Sequence, residues 1–220
     1  VFVRKLYAFG MDSYTILATK MCVGAVILFL ILLCWKPKLL RVRWQDLWIF
    51  LGSGILGMLG LNYCYNEAIR TVSMSLAAVL LGLSPIFVML LSAVLFREKI
   101  TARKLGCMAL ALVGCLLVSG VLEGSGLQWS WGGIGMGVLS AFFYALYAIF
   151  AKTASNRGYD TFTIIFYSIL AISLVLLPLT DWGSFGAFLA EAPVGNTVFT
   201  LAHAAFTTIL PYALDTLSQL

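Results

Sequence analysis

Charge is scarce in this sequence. Asp, Glu, Lys and Arg make up 10% of its 220 residues, against roughly a quarter in soluble domains. Apolar residues fill the gap at 62%, with a mean hydropathy of +1.02, which excludes an ordinary water-soluble domain. Cysteine pairing is missing as well: Cys22, Cys34, Cys64, Cys107 and Cys115 form no C-x-x-C, so neither a disulfide framework nor a zinc site is indicated. There is no G-x-x-x-x-G-K-[ST] loop for hydrolysing ATP, and no H-E-x-x-H or G-x-S-x-G. A channel would want a ring of like polar groups or a filter loop, and none is present. No metal or other cofactor is called for. Residues 1–10 lack the basic start, short apolar core and small-residue cleavage site of a signal peptide, and the chain does not begin with Met. It is expected to be cut short at both ends.

What the sequence does have is long apolar blocks. A helix needs about 20 such residues to cross a bilayer, and blocks of that kind run over 14–35, 46–69, 75–96, 105–122, 132–151, 162–182 and 196–217. The expected fold is therefore an all-α integral membrane protein with seven spans. Taking its two faces alternately, Lys36, Lys38, Arg41, Arg43, Arg97, Lys99, Arg103, Lys104, Lys152 and Arg157 fall on one side, and only Arg4, Lys5 and Arg70 on the other. Ten against three puts the first side in the cytoplasm, with the stretches 36–43, 97–104 and 152–157 cytoplasmic and 123–131 and 183–195 as outer loops.

A short phrase is written twice. GMDSYTIL at 10–17 returns as GYDTFTII at 158–165. On the same offset Phe2 matches Phe150 and Arg4 matches Lys152. Five spans, an odd number, separate the copies, so the second enters the membrane from the opposite side. Two halves of inverted topology are the arrangement of secondary transporters. The plainer alternative is two ordinary helix starts, since Asp, Ser and Thr are common N-caps.

Gly133, Gly137, Ala141 and Ala145 recur every four residues, as do Cys107, Ala111, Cys115 and Ser119. Lipid offers little hydrophobic gain for joining helices, so such small-residue stripes serve close packing. Pro85 interrupts its span, removing a helical hydrogen bond at a cost of about 3 kcal/mol or more in a soluble helix. Pro211 does the same in the last span. Both are hinge candidates.

The run Leu83-Ser84-Pro85-Ile86-Phe87, then Phe96-Arg97-Glu98-Lys99-Ile100-Thr101, then Gly106 and Gly114, resembles the signature of EamA-type carriers in the drug/metabolite transporter superfamily. The resemblance implies ten helices in two inverted five-helix halves and alternating access for small metabolites. On that template 1–122 is a first repeat lacking most of its first helix, 123–131 an external connection, and 132–220 a second repeat lacking its last two helices.

Lys20 lies about 10 Å into its span by helical rise, where a cation costs roughly 2.5–3.5 kcal/mol on insertion scales. The family often has a basic residue here, typically Arg. Asn62, Tyr63, Asn66 and Glu67 approach a similar depth, and Glu67 or Asn66 is the expected partner of Lys20. This group is a candidate site for a substrate carboxylate, a coupling proton or both, the alternative being a structural ion pair. The duplicated half offers Tyr212 and Asp215, and Tyr144, Tyr147 and Tyr167 are candidate cavity linings. The lone histidine, His203, reads as an interhelical hydrogen-bond former before a proton relay. Glu98 reads as structural. An amino-acid-like substrate, the lipid bilayer and a proton are the expected partners. A homodimer is admitted and nucleic acid is not. The rival class is a membrane-embedded enzyme pairing His203 with Ser140 or Ser168. The expected location is the plasma (inner) membrane.

Overall fold

A computed structural model of the chain describes residues 13–97, 100–118 and 130–204. Among these there are helices and no strand. The α-helices are α1 (Ser13–Trp35), α2 (Leu47–Leu51), α3 (Gly60–Thr71), α4 (Met74–Leu81), α5 (Ser84–Phe96), α6 (Ala102–Val118), α7 (Trp131–Asn156), α8 (Thr161–Leu176), α9 (Trp182–Glu191) and α10 (Pro193–Ala204). A π-helical run, Gly52–Leu59, joins α2 to α3 without a break. Among the described residues, five stretches are long and apolar enough to cross a membrane: Tyr14–Cys34, Trp44–Thr71, Met74–Phe96, Trp131–Asn156 and Thr161–Leu179. The protein is thus an all-α integral membrane protein. The block expected at 105–122 is helical as far as Val118, and the one at 196–217 leaves the described residues after Ala204.

The contacts divide the chain into two compact units, residues 1–55 with 154–220 and residues 56–153. In the first unit α8 is buried nearly all round, from Thr163 through Ile165, Ile169 and Ile172 to Leu176, as an interior helix should be. Packed on it is α1, with Phe29 stacked on Phe166 at 6.0 Å. Their buried hydroxyls do not go unpaired: Thr19 donates to the Thr15 carbonyl at 2.8 Å, Ser168 to Ile164 and Ser173 to Ile169 at 2.7 Å. With no water in the bilayer core, such bonds within the helix are the available remedy. Ser168 has spent its proton on its own helix, so in the 2.5 Å contact between Ser53 and Ser168 it is Ser53 that donates.

The stretch 183–195, expected as an outer loop, is largely helical. The Asp181 carboxylate accepts from the backbone N–H groups of Gly183 and Ser184 at 3.0 and 3.3 Å and starts α9. The Ser184 hydroxyl and these N–H groups hold the Asp181 carboxyl below its ordinary pKa. Phe188 of α9 is buried against Ile16, with Phe185, Leu189 and Phe199 around it. The apolar spacing 185, 188, 189 is an amphipathic helical signal hidden in a segment too short to cross a membrane.

The second unit is assembled by close approach. A methyl group at Gly137 would meet Leu80 Cδ1 at 2.5 Å, and one at Gly133 would strike Thr71 and Val72. Ala141 and Ala145, next on the same stripe, are fully buried, as the packing reading requires. The matching stripe on α6 lies outside the described side chains. Near Pro85 the helix is interrupted: α4 ends at Leu81, Gly82 and Leu83 keep right-handed helical dihedrals, and α5 begins at Ser84 with the proline in its first turn. There its missing N–H costs nothing. Pro211 is outside the described residues.

Candidate functional site

The residues gathered by sequence reasoning are divided between the two compact units. Lys20 sits partly buried on α1 in the first unit. No hydrogen bond or ion pair to its side chain is found among the described residues. Asn62, Tyr63, Asn66 and Glu67 belong to α3 and the second unit. Asn62 donates to the Met58 carbonyl at 2.7 Å, and Glu67 accepts from Arg70 at 2.8 Å one helical turn on. The described partner of Glu67 is therefore Arg70. Tyr144 and Tyr147 lie ring to ring at 6.3 Å in α7. Tyr167, expected to line a cavity, donates its hydroxyl to the Leu40 carbonyl at 2.7 Å and ties α8 to the connection between α1 and α2. Tyr212, Asp215, Glu98 and the side chain of His203 lie outside the described residues.

A polar centre that the sequence reading passed over lies at the end of α7 in the first unit. The chain leaves α7 through a turn in which Gly158 takes φ +84°, a value only glycine adopts freely. The N–H of Tyr159 returns to the Ala154 carbonyl at 3.2 Å and that of Gly158 to Ser155 at 2.9 Å, the Schellman closure of a helix C-terminus. Asp160 then caps α8, accepting from the Phe162 N–H at 2.9 Å. Gly158 and Asp160 are the glycine and aspartate of the repeated phrase, so its second copy encodes one helix end and the next helix start.

The turn fixes Arg157 and Tyr159, and both reach Asp46, a buried carboxylate at the start of the Trp44–Thr71 stretch. Arg157 Nη1 pairs with Asp46 Oδ1, and the Tyr159 hydroxyl donates to Oδ2 while accepting from the Arg43 N–H at 3.3 Å. The Arg157 guanidinium also lies 5.5 Å over the Trp48 ring. The Thr163 hydroxyl donates to the Leu39 carbonyl at 2.9 Å and secures the same connection lower down. Burial, and then the hydrogen bond to Asp46, raise the Tyr159 phenol above its ordinary pKa. A buried carboxylate needs partners of this kind. Asp46 was readable as the lone acid following a run of four basic residues, but nothing local names partners more than a hundred residues away.

The class of protein follows from these features: a polytopic helical membrane protein with a cation inside one span and a buried ion pair at the end of others. The pattern of the EamA-like transporter family matches residues 1–120, and the chain belongs to that family. An uncharacterized transporter of Archaeoglobus fulgidus is 30% identical over 138 residues, 63% of this chain and 48% of its own length. The pseudopaline exporter CntI of Pseudomonas aeruginosa is 29% identical over 166 residues, 76% of this chain and 55% of its own length. The chain thus spans about half the length of the curated relatives it matches. One crystal structure shares the fold with a TM-score of 0.62 at 17% identity, covering 96% of this chain and 78% of that one.

Proposed function

We propose that this chain is part of a secondary carrier that moves a small, amino-acid-like organic metabolite across the plasma (inner) membrane by alternating access. The observation that carries the reading is membership of the EamA-like transporter family. The naming of the Pseudomonas relative as an exporter favours the outward direction. In this reading 1–122 and 132–220 are inverted repeats, the basic stretches 36–43, 97–104 and 152–157 face the cytoplasm, and Pro85 and Pro211 mark hinges.

Lys20 is the proposed anchor for a substrate carboxylate. A cation within a span is costly and is retained where it has work to do, and no described carboxylate compensates it. The polar groups of α3, with Tyr144, Tyr212 and Asp215, are proposed to complete the path for substrate or proton. The rival enzyme would need an activated serine. Both candidates spend their protons on their own helices, Ser140 on the Gly137 carbonyl at 2.6 Å and Ser168 on Ile164 at 2.7 Å.

The test is uptake and efflux by the full-length protein in proteoliposomes against a metabolite panel, with and without a proton gradient. Lys20→Met is expected to abolish transport while leaving the detergent melting temperature close to wild type. Adding Glu67→Gln should rescue nothing, since Glu67 is paired with Arg70. Full transport by Lys20→Met would remove the residue from the site, and turnover of a substrate without vectorial movement would replace the carrier by an enzyme.

A further inference from the structure

Beside the Asp46 centre the first unit contains a cavity of about 250 Å³, lined chiefly by Arg41, Arg43, Arg157, Tyr159, Asp160 and Thr163. Three guanidinium groups face one carboxylate, and that carboxylate is engaged by the Phe162 N–H. Arg157 is held by Asp46. The side chains of Arg41 and Arg43 are exposed and form no hydrogen bond or ion pair among the described residues, the Arg43 charge acting on Asp46 only through space. The cavity therefore has a surplus of positive charge and unused planar donors, set on a floor that the Tyr159 and Thr163 hydrogen bonds hold in place. It is smaller than the roughly 300–1,000 Å³ typical of pockets for drug-sized ligands, which suits a compact anion. Guanidinium forks match the oxygen spacing of phosphate as they do that of carboxylate, and a phosphate ester is the anion that the bilayer surface supplies in quantity.

Two tryptophans give the depth. Trp44, next to Arg43, is 88% exposed and Trp48, beneath Arg157, is 53% exposed. Exposed tryptophans at the end of an apolar span mark the headgroup level of a bilayer, where basic pockets meet anionic lipid headgroups. We propose that this cavity binds a phosphate ester, with the headgroup phosphate of an anionic phospholipid as its occupant and Arg41 and Arg43 as the residues that close on it. The inference rests on the membrane-spanning helices and the cavity, and it stands whether or not Lys20 binds a transport substrate.

The experiment titrates the full-length protein in a mild, uncharged detergent with dioctanoyl phosphatidylglycerol, dioctanoyl phosphatidylcholine and sodium phosphate. Phosphatidylcholine bears the same phosphate with a compensating cation, so it reports on chain insertion alone. The anionic lipid is expected to bind more tightly than the zwitterionic one. The Arg41→Gln, Arg43→Gln double variant should weaken it by about tenfold or more, as loss of charge-assisted hydrogen bonds does. Arg103→Gln, which removes an exposed charge elsewhere, should not. Equal melting temperatures for the three proteins would show that folding is not the cause. Saturable binding of sodium phosphate with the same arginine dependence would assign the site to soluble phosphates. Equal affinity for the two lipids with no arginine-dependent phosphate binding, or an equal loss in Arg103→Gln, would overturn the proposal.

Discussion

Both compact units bring helices together at glycines, Gly54 on the Ser168 carbonyl in the first as Gly57 on Tyr147 in the second, but only the first adds polar stitches between distant segments. In the first, Ser53 reaches Ser168, Tyr167 and Thr163 reach the carbonyls of Leu40 and Leu39, the Thr15 hydroxyl accepts from the Asp181 N–H, and Asp46 gathers Arg157 and Tyr159. In the second, helices meet where side chains are smallest: Gly57 lies on the backbone of Tyr147, Gly60 on the Phe143 ring, and Gly133 and Gly137 on Thr71, Val72 and Leu80. Burial differs in parallel. The Thr161–Leu179 span has 56% of its most apolar window buried and Met74–Phe96 only 22%, so the polar stitches lie where helix faces are hidden. The lesson is that one membrane chain uses both remedies for a missing hydrophobic drive. The second unit should break when an atom is added, and the first also when a polar atom is removed.

The largest effect is therefore expected from Gly57→Ala. The new methyl would stand 2.8 Å from the Tyr147 Cα and 2.7 Å from its Cβ, and a backbone cannot step aside as a flexible side chain can. Overpacking of this kind costs about 1–3 kcal/mol, and the upper end is expected. The same change at Gly135 meets nothing within 4 Å and should leave the melting temperature of the full-length protein unchanged. If the two variants melt alike, close approach is not what holds the second unit.

Next in size is the Asp46–Arg157 pair. Asp46→Asn and Arg157→Gln should each lower the apparent melting temperature by several degrees, since either leaves a charge without its partner. The double variant should melt no lower than the worse single one. Additive losses in this double-mutant cycle would show that the two residues act independently and would erase the contrast between the units.

The smallest effect is one of pH. Tyr159 has a raised pKa in the folded protein, so its contribution to stability is complete below the ordinary tyrosine value of about 10. It is lost as the pH rises through the folded value. Wild type should therefore lose melting temperature more steeply than Tyr159→Phe as the pH passes 10. Parallel curves would mean that the phenol–carboxylate bond contributes nothing measurable.

These features differ in how far the sequence announces them. Apolar runs gave away the spans because bilayer thickness fixes helix length. The stripe from Gly133 to Ala145 gave away its packing face because helical periodicity is local. The helix start at Asp160 was legible for the same reason. Asp46, Arg157 and Tyr159 were not, because their meeting depends on how distant segments pack, and single residues carry no record of that. The 183–195 segment was misread as loop because length was weighed above its apolar spacing. At Pro85 the residue showed that the span is interrupted, but not that the helix restarts one residue earlier and makes the proline a first-turn residue.

The π-helical run Gly52–Leu59 sets a phase. Closing i to i+5 in place of i to i+4 fits an extra residue into the turn, and one residue corresponds to about 100° of rotation about a helix axis. The directions in which Asn62, Asn66 and Glu67 point are thus set upstream of them, by how Gly-Ser-Gly-Ile-Leu-Gly-Met-Leu winds. Rewinding one of those turns to α geometry would swing all three around the axis together by about 100°, with none of their own backbone angles changing.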